Sequence, residues 1–144
     1  GLDLETAIAE TILHDEMPVK GAFYIAYTEI DSRYLVRFKG GLLKLADFTG
    51  IPLKTLVGDS SLSTIIPYKI PQLWAKAVHR HPKQCVDGIF YMSRHLNDRP
   101  AVVVFERAKS NIIDASAKKL LRVSGIMEAI ANLHISFETI RSRP

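Results

Sequence analysis

The chain has 144 residues, 47% of them hydrophobic and 24% charged, with a formal net charge of +4. That length and composition fit one domain with a sizeable core and exclude a wholly disordered chain. The charge is mild and scattered, Lys118-Lys119 being the longest basic run, so no direct nucleic-acid binding is expected despite a pI near 9.3.

Asp3 reads as an N-cap with Glu5 in the first turn behind it, where negative charge suits the helix dipole. Leu4, Ile8 and Ile12 recur every four residues and predict an amphipathic helix ending near His14. Thr6 and Glu10 fall together beside the apolar stripe, not within it. Pro18 and Gly21 break the chain. Two runs rich in aromatic and β-branched residues, 23–28 and 34–38, predict strands, and Gly40-Gly41 predicts a hairpin turn into 42–46. Residues 49–71 read as a long loop with one short helix over 53–57.

Residues 72–79 predict a helix that stops before Pro82. Residues 88–92 predict a strand of bulky side chains, 97–100 a turn, and 101–105 an unbroken apolar strand buried on both faces. Residues 120–131 predict a helix. Residues 134–140 predict a last strand with Ile135, Phe137 and Thr139 on one face. The class is α+β on a small mixed sheet, without internal repeats or a second domain.

Most generic motifs are absent. There is no phosphate-cradling loop, dinucleotide fingerprint or nucleophile elbow. A single cysteine, Cys85, excludes an internal disulfide and a multi-cysteine zinc site, and its plain reading is a small buried residue. His79 and His81 are two apart and diverge on a helix, so no metal is expected. With Arg80 and Lys83 they read as a basic helix end. No apolar run approaches the roughly 20 residues of a membrane span, and no signal peptide is visible. The chain opens on Gly-Leu-Asp-Leu, already a helix start, which fits a fragment or a cleaved product.

Two stretches carry chemistry. Glu10 sits among small alanines, where a ligand or another chain can approach closely; a solvated helix glutamate is the plain alternative. The run Val86-Asp87-Gly88-Ile89-Phe90-Tyr91-Met92-Ser93-Arg94-His95 ends a strand in a hydroxyl, a guanidinium and an imidazole. Ligands often sit at strand ends of this kind, although an ordinary strand-to-turn transition looks the same.

The Glu-Thr-Ala-Ile-Ala-Glu-Thr helix, the Val-Asp-Gly-Ile-Phe-Tyr-Met-Ser-Arg stretch and the following Ala-Val-Val-Val-Phe-Glu strand together resemble the RES-domain proteins. The Pro71-Gln72-Leu73-Trp74-Ala75 helix is similar too, and the resemblance runs from Leu2 to about Arg107. It implies an ADP-ribosyltransferase-like fold and a toxin domain that cleaves NAD at the nicotinamide–ribose bond, as a phosphorylase or a glycohydrolase. It also leaves open an ADP-ribosyltransferase acting on a protein, or an incomplete binding module held by an antitoxin or immunity protein. Glu10 matches the family's glutamate and Ser93 its serine, which makes them the expected catalytic residues. Tyr91 and Arg94 lie in the serine motif and are the expected NAD contacts. NAD is then a substrate, the partner a cognate antitoxin or immunity protein, and the site of action cytoplasmic. The family's arginine lies upstream of the glutamate helix, and none of the nine arginines here precedes Glu10. The expected organisation is a single RES-like domain over 1–144 without its N-terminal segment.

If Tyr91 and Ser93 face the pocket, alternation turns Arg94 away, unless the strand ends first.

Overall fold

A computed structural model describes residues 1–56, 58–63, 65, 69–83 and 85–138. The class is α+β, as the sequence predicts. In chain order the elements are α1 (Leu4–Ala9), β1 (Phe23–Ile25), α2 (Tyr27–Ser32), β2 (Tyr34–Gly40), β3 (Leu45–Phe48), α3 (Gly50–Thr55), α4 (Lys69–His79), β4 (Gly88–Met92), β5 (Pro100–Val104), β6 (Ile112–Lys119), α5 (Ile126–Asn132) and β7 (Ile135–Phe137). Short 3-10 turns cover Ser60–Ser63, Glu106–Asn111 and Leu120–Arg122.

The strands form three small sheets. β1 runs parallel to β7, β2 runs antiparallel to β6, and β4 sits between parallel β3 and antiparallel β5. One core gathers Ile8, Ile12 and Leu13 from the N-terminal segment with Ile25, Ile30, Leu120, Val123 and the inner face of α5. A second packs Phe48, Leu53, Ile89 and Phe105 under Trp74, Ala75 and Val78 of α4. Ile30, only 1% exposed, is among the tightest side chains of the first core. Its truncation in Ile30→Ala is expected to cost about 2–5 kcal/mol, read by chemical denaturation.

Several sequence expectations are corrected. The first helix stops at Ala9, because Ile12 and Leu13 both turn back to the Ile8 carbonyl in a tight bend. Thr6 is fully buried, not beside the stripe; its hydroxyl donates to Asp3 Oδ2 at 2.8 Å, which makes burial tolerable. The run 23–28 is strand only to Ile25, after which α2 begins. Gly40-Gly41 does not close a hairpin. β2 pairs with β6, which the sequence reading missed, and β3 joins another sheet. Gly40 serves close approach instead, since a Cβ there would lie 1.9 Å from the Asn111 carbonyl oxygen.

β5 is not buried on both faces, for Val103 and Val104 are over two-fifths exposed on an edge strand. The predicted helix over 120–131 is a 3-10 turn and then α5, split at Gly125, whose φ of +82° lies in the left-handed region. Cys85 is exposed, because it lies in the connection entering β4 and not in the strand. The α4, β4 and β7 expectations hold to within a few residues, whereas Val57 and Thr139 lie outside the described residues.

Among the described residues no helix is long and apolar enough to cross a membrane.

Candidate active site

The site forms where parallel β3 and β4 end together. Register places Phe48 beside Tyr91 and Ala46 beside Ile89, so these side chains share one face of the sheet. On that face α3, α4 and the Ser60–Ser63 turn enclose a cavity of about 550 Å³. Its apolar wall includes Phe48, Leu53, Ala75, Ile89 and Val103, and its polar lining includes Glu10, His14, Lys54, Asp59, Tyr91 and Arg94. The volume lies within the range of small-molecule sites, and the carboxyl ends of parallel strands are where such sites form.

Glu10 reaches the cavity as the C-cap of α1. α1 is fixed by Asp3, which accepts from the Thr6 N–H at 2.7 Å. Burial alone would raise the Asp3 pKa, but the Thr6 backbone and hydroxyl donors and the Arg99 charge outweigh it and hold the carboxyl below its ordinary value.

Ser93, immediately after β4, is 1% exposed. Its hydroxyl donates to Glu10 Oε1 at 2.5 Å, the length of a charge-assisted O–H···O⁻ bond, joining residues 83 apart in sequence. The same oxygen accepts from the His95 and Leu96 N–H groups, each at 3.1 Å. One proton and two lone pairs are the whole capacity of a hydroxyl. The Ser93 hydroxyl is therefore saturated within the protein.

Tyr91 and Arg94 both line the cavity. β4 ends at Met92, so strand alternation no longer governs Arg94, which is the exception foreseen for a strand that ends early.

The sequence marks the His95 imidazole at the end of the β4 run but gives no sign of its neighbour His14. His14 lines the cavity, and its ring lies 5.1 Å from that of His95. The His95 Nε2 atom is buried with no hydrogen-bond partner among the described residues. Burial pushes the His95 pKa below its ordinary value, helped by the Arg94 and His14 charges and opposed by Glu10. His14 follows Glu10 by four residues, a spacing that could have signalled it had the helix run on, but α1 ends at Ala9. The partnership with His95 needed the fold. Because folded His95 holds its proton more weakly than the unfolded chain does, the unfolded chain binds protons first as pH falls below about 6.5. Stability is expected to drop across that window, and His95→Gln is expected to flatten the drop in Tm measured from pH 7.5 to 5.5.

The RES-domain family profile matches residues 1–123 of the 144, and the chain belongs to that family. RES domains are generally linked to NAD-related toxin function. No curated protein and no solved structure matches the chain.

Proposed function

We propose that this chain is a toxin domain that cleaves NAD at the nicotinamide–ribose bond, as a phosphorylase or a glycohydrolase, with Glu10 as the catalytic carboxylate. The observation that carries the reading is Glu10 itself: it lines the cavity while the buried Ser93 hydroxyl pins one of its oxygens. Family membership supports NAD as the substrate, since RES domains are NAD-related.

Cleavage of this bond builds positive charge on the ribose ring, and a fixed carboxylate stabilises that charge most when it has no freedom to reorganise. The Ser93 bond removes that freedom and leaves Glu10 Oε2 for the ribose. Tyr91 offers a ring for the nicotinamide. Arg94 offers a fork for the pyrophosphate. Burial holds the His95 pKa below its ordinary value, which disfavours a competing positive charge near Glu10. The apolar wall of Phe48, Leu53 and Ile89 takes the remaining flat surface of the dinucleotide and excludes water. The reading includes a cognate antitoxin or immunity protein that silences turnover, and action in the cytoplasm, where NAD is abundant.

The test is release of nicotinamide from NAD, followed by chromatography with and without inorganic phosphate. Phosphate-dependent release giving a phosphorylated ADP-ribose identifies a phosphorylase. Release of free ADP-ribose without phosphate identifies a glycohydrolase. No release by folded protein rejects the reading.

A further inference from the structure

Arg99 bonds the Ser93 backbone and the first turn of the helix that ends in Glu10, without contacting either side chain of the pair. Its carbonyl accepts from the Ser93 N–H at 2.9 Å, and its own N–H donates to the Leu96 carbonyl at 2.9 Å. Its guanidinium crosses to the first turn of α1, where it pairs with Glu5 Oε2 and lies 3.4 Å from Asp3 Oδ1. The second Glu5 oxygen accepts from Asn132 Nδ2 at 2.6 Å, which ties the same turn to the end of α5.

These bonds close a circuit. It runs from the Arg99 backbone to Ser93, from the Ser93 hydroxyl to Glu10, back along α1 to Glu5 and Asp3, and into the Arg99 guanidinium. α1 is only six residues long, so a tilt at its first turn is transmitted directly to its C-cap. A hydrogen bond of 2.5 Å to a buried hydroxyl tolerates little tilt. The anchoring side chains are unequally covered: Glu5 is 15% exposed, Arg99 37% and Asp3 43%. Ion pairs with this much solvent access add little to global stability. Their geometric effect is the larger one, because one nitrogen, Nη1, is held between two carboxylates at the start of α1.

We propose that Arg99 is a positioning residue, which sets the angle at which α1 presents Glu10 to Ser93. As a statement about catalysis this rests on the reading of Glu10 given above; as a statement about geometry it does not.

The experiment uses the full chain with Arg99→Ala and Arg99→Lys, and reads two quantities. The first is kcat and KM for nicotinamide release from NAD. Arg99→Ala is expected to lose roughly 10- to 100-fold in kcat with KM within about twofold, the range expected when a reacting group is misplaced by a fraction of its bond length. Arg99→Lys, which keeps the charge on a shorter side chain, is expected to fall between Arg99→Ala and the native chain. The second readout is amide hydrogen exchange at His95 and Leu96, whose N–H groups bond Ser93 Oγ. Exchange there is expected to rise at least about tenfold in Arg99→Ala, while the β2–β6 amides keep their protection.

Native kcat with native exchange at His95 and Leu96 overturns the proposal. So does an equal loss of protection in β2–β6 with no recovery in Arg99→Lys, because that marks a merely structural residue. If Arg99→Ala does not fold, Glu5→Ala removes the same contact from the other side and is judged by the same criteria. If the native chain releases no nicotinamide, it is the reading of Glu10 that fails, and the exchange data alone then decide whether Arg99 positions the pair.

Discussion

Glu10→Gln is expected to lose roughly three orders of magnitude in NAD cleavage while its Tm stays within about 2 °C of the native value. The substitution is isosteric, and the amide oxygen still accepts from Ser93, so the contact that closes the site persists. On the proposed reading, what disappears is the negative charge opposite the developing positive charge on the ribose. Glu10 lies at the end of α1 and outside both hydrophobic clusters, so no packing is lost. The checks are steady-state nicotinamide release and a thermal melt on the same preparation. NAD affinity measured by calorimetry should change far less than kcat, because the carboxylate is asked to bind the transition state more tightly than the ground state.

Ser93→Ala is expected to damage both stability and turnover, and in that it differs from Glu10→Gln. Removing Oγ strands the N–H groups of His95 and Leu96 and takes the donor from Glu10. Each buried donor left without a partner costs about 1–3 kcal/mol. For a chain of this size the two together correspond to a Tm lower by roughly 6–20 °C. Turnover should fall by about 10- to 100-fold, less than for loss of the carboxylate itself, since Glu10 remains present but free to reorient. A thermal melt and the kcat of folded protein below the transition separate the two effects. A Ser93→Ala protein with native Tm would mean that the three bonds to its hydroxyl do not form in solution.

The sequence made β4 legible almost to the residue, because an apolar run between Gly88 and Ser93 has few alternatives to a buried strand. α4 was equally clear from Leu73, Trp74, Ala75, Ala77 and Val78 and the stop before Pro82. β6 was invisible for the opposite reason. Ile-Ile-Asp-Ala-Ser-Ala-Lys-Lys has no alternation and is mostly exposed, so its strand character comes from pairing with β2. The Gly40-Gly41 signal was real but misassigned, since a local turn pattern cannot reveal that a glycine makes room for residue 111.

The candidates Glu10, Ser93, Tyr91 and Arg94 came from a family resemblance; Glu10, Tyr91 and Arg94 line one cavity, and Ser93 is bonded to Glu10. The saturation of the Ser93 hydroxyl was not reachable. It depends on the turn through Leu96 and Arg99, which places two N–H groups on one oxygen, and no spacing rule encodes that. The Arg99 circuit spans residues 3 to 132 and is likewise a property of the packed chain.

The most direct test of the account is nicotinamide release from NAD by the native chain, run beside Glu10→Gln purified in the same way. The account predicts steady release by the native protein, with one ADP-ribose or ADP-ribose phosphate per nicotinamide, and a rate roughly a thousandfold lower in the variant. Equal release by the two proteins, or none by the folded native chain, would contradict it.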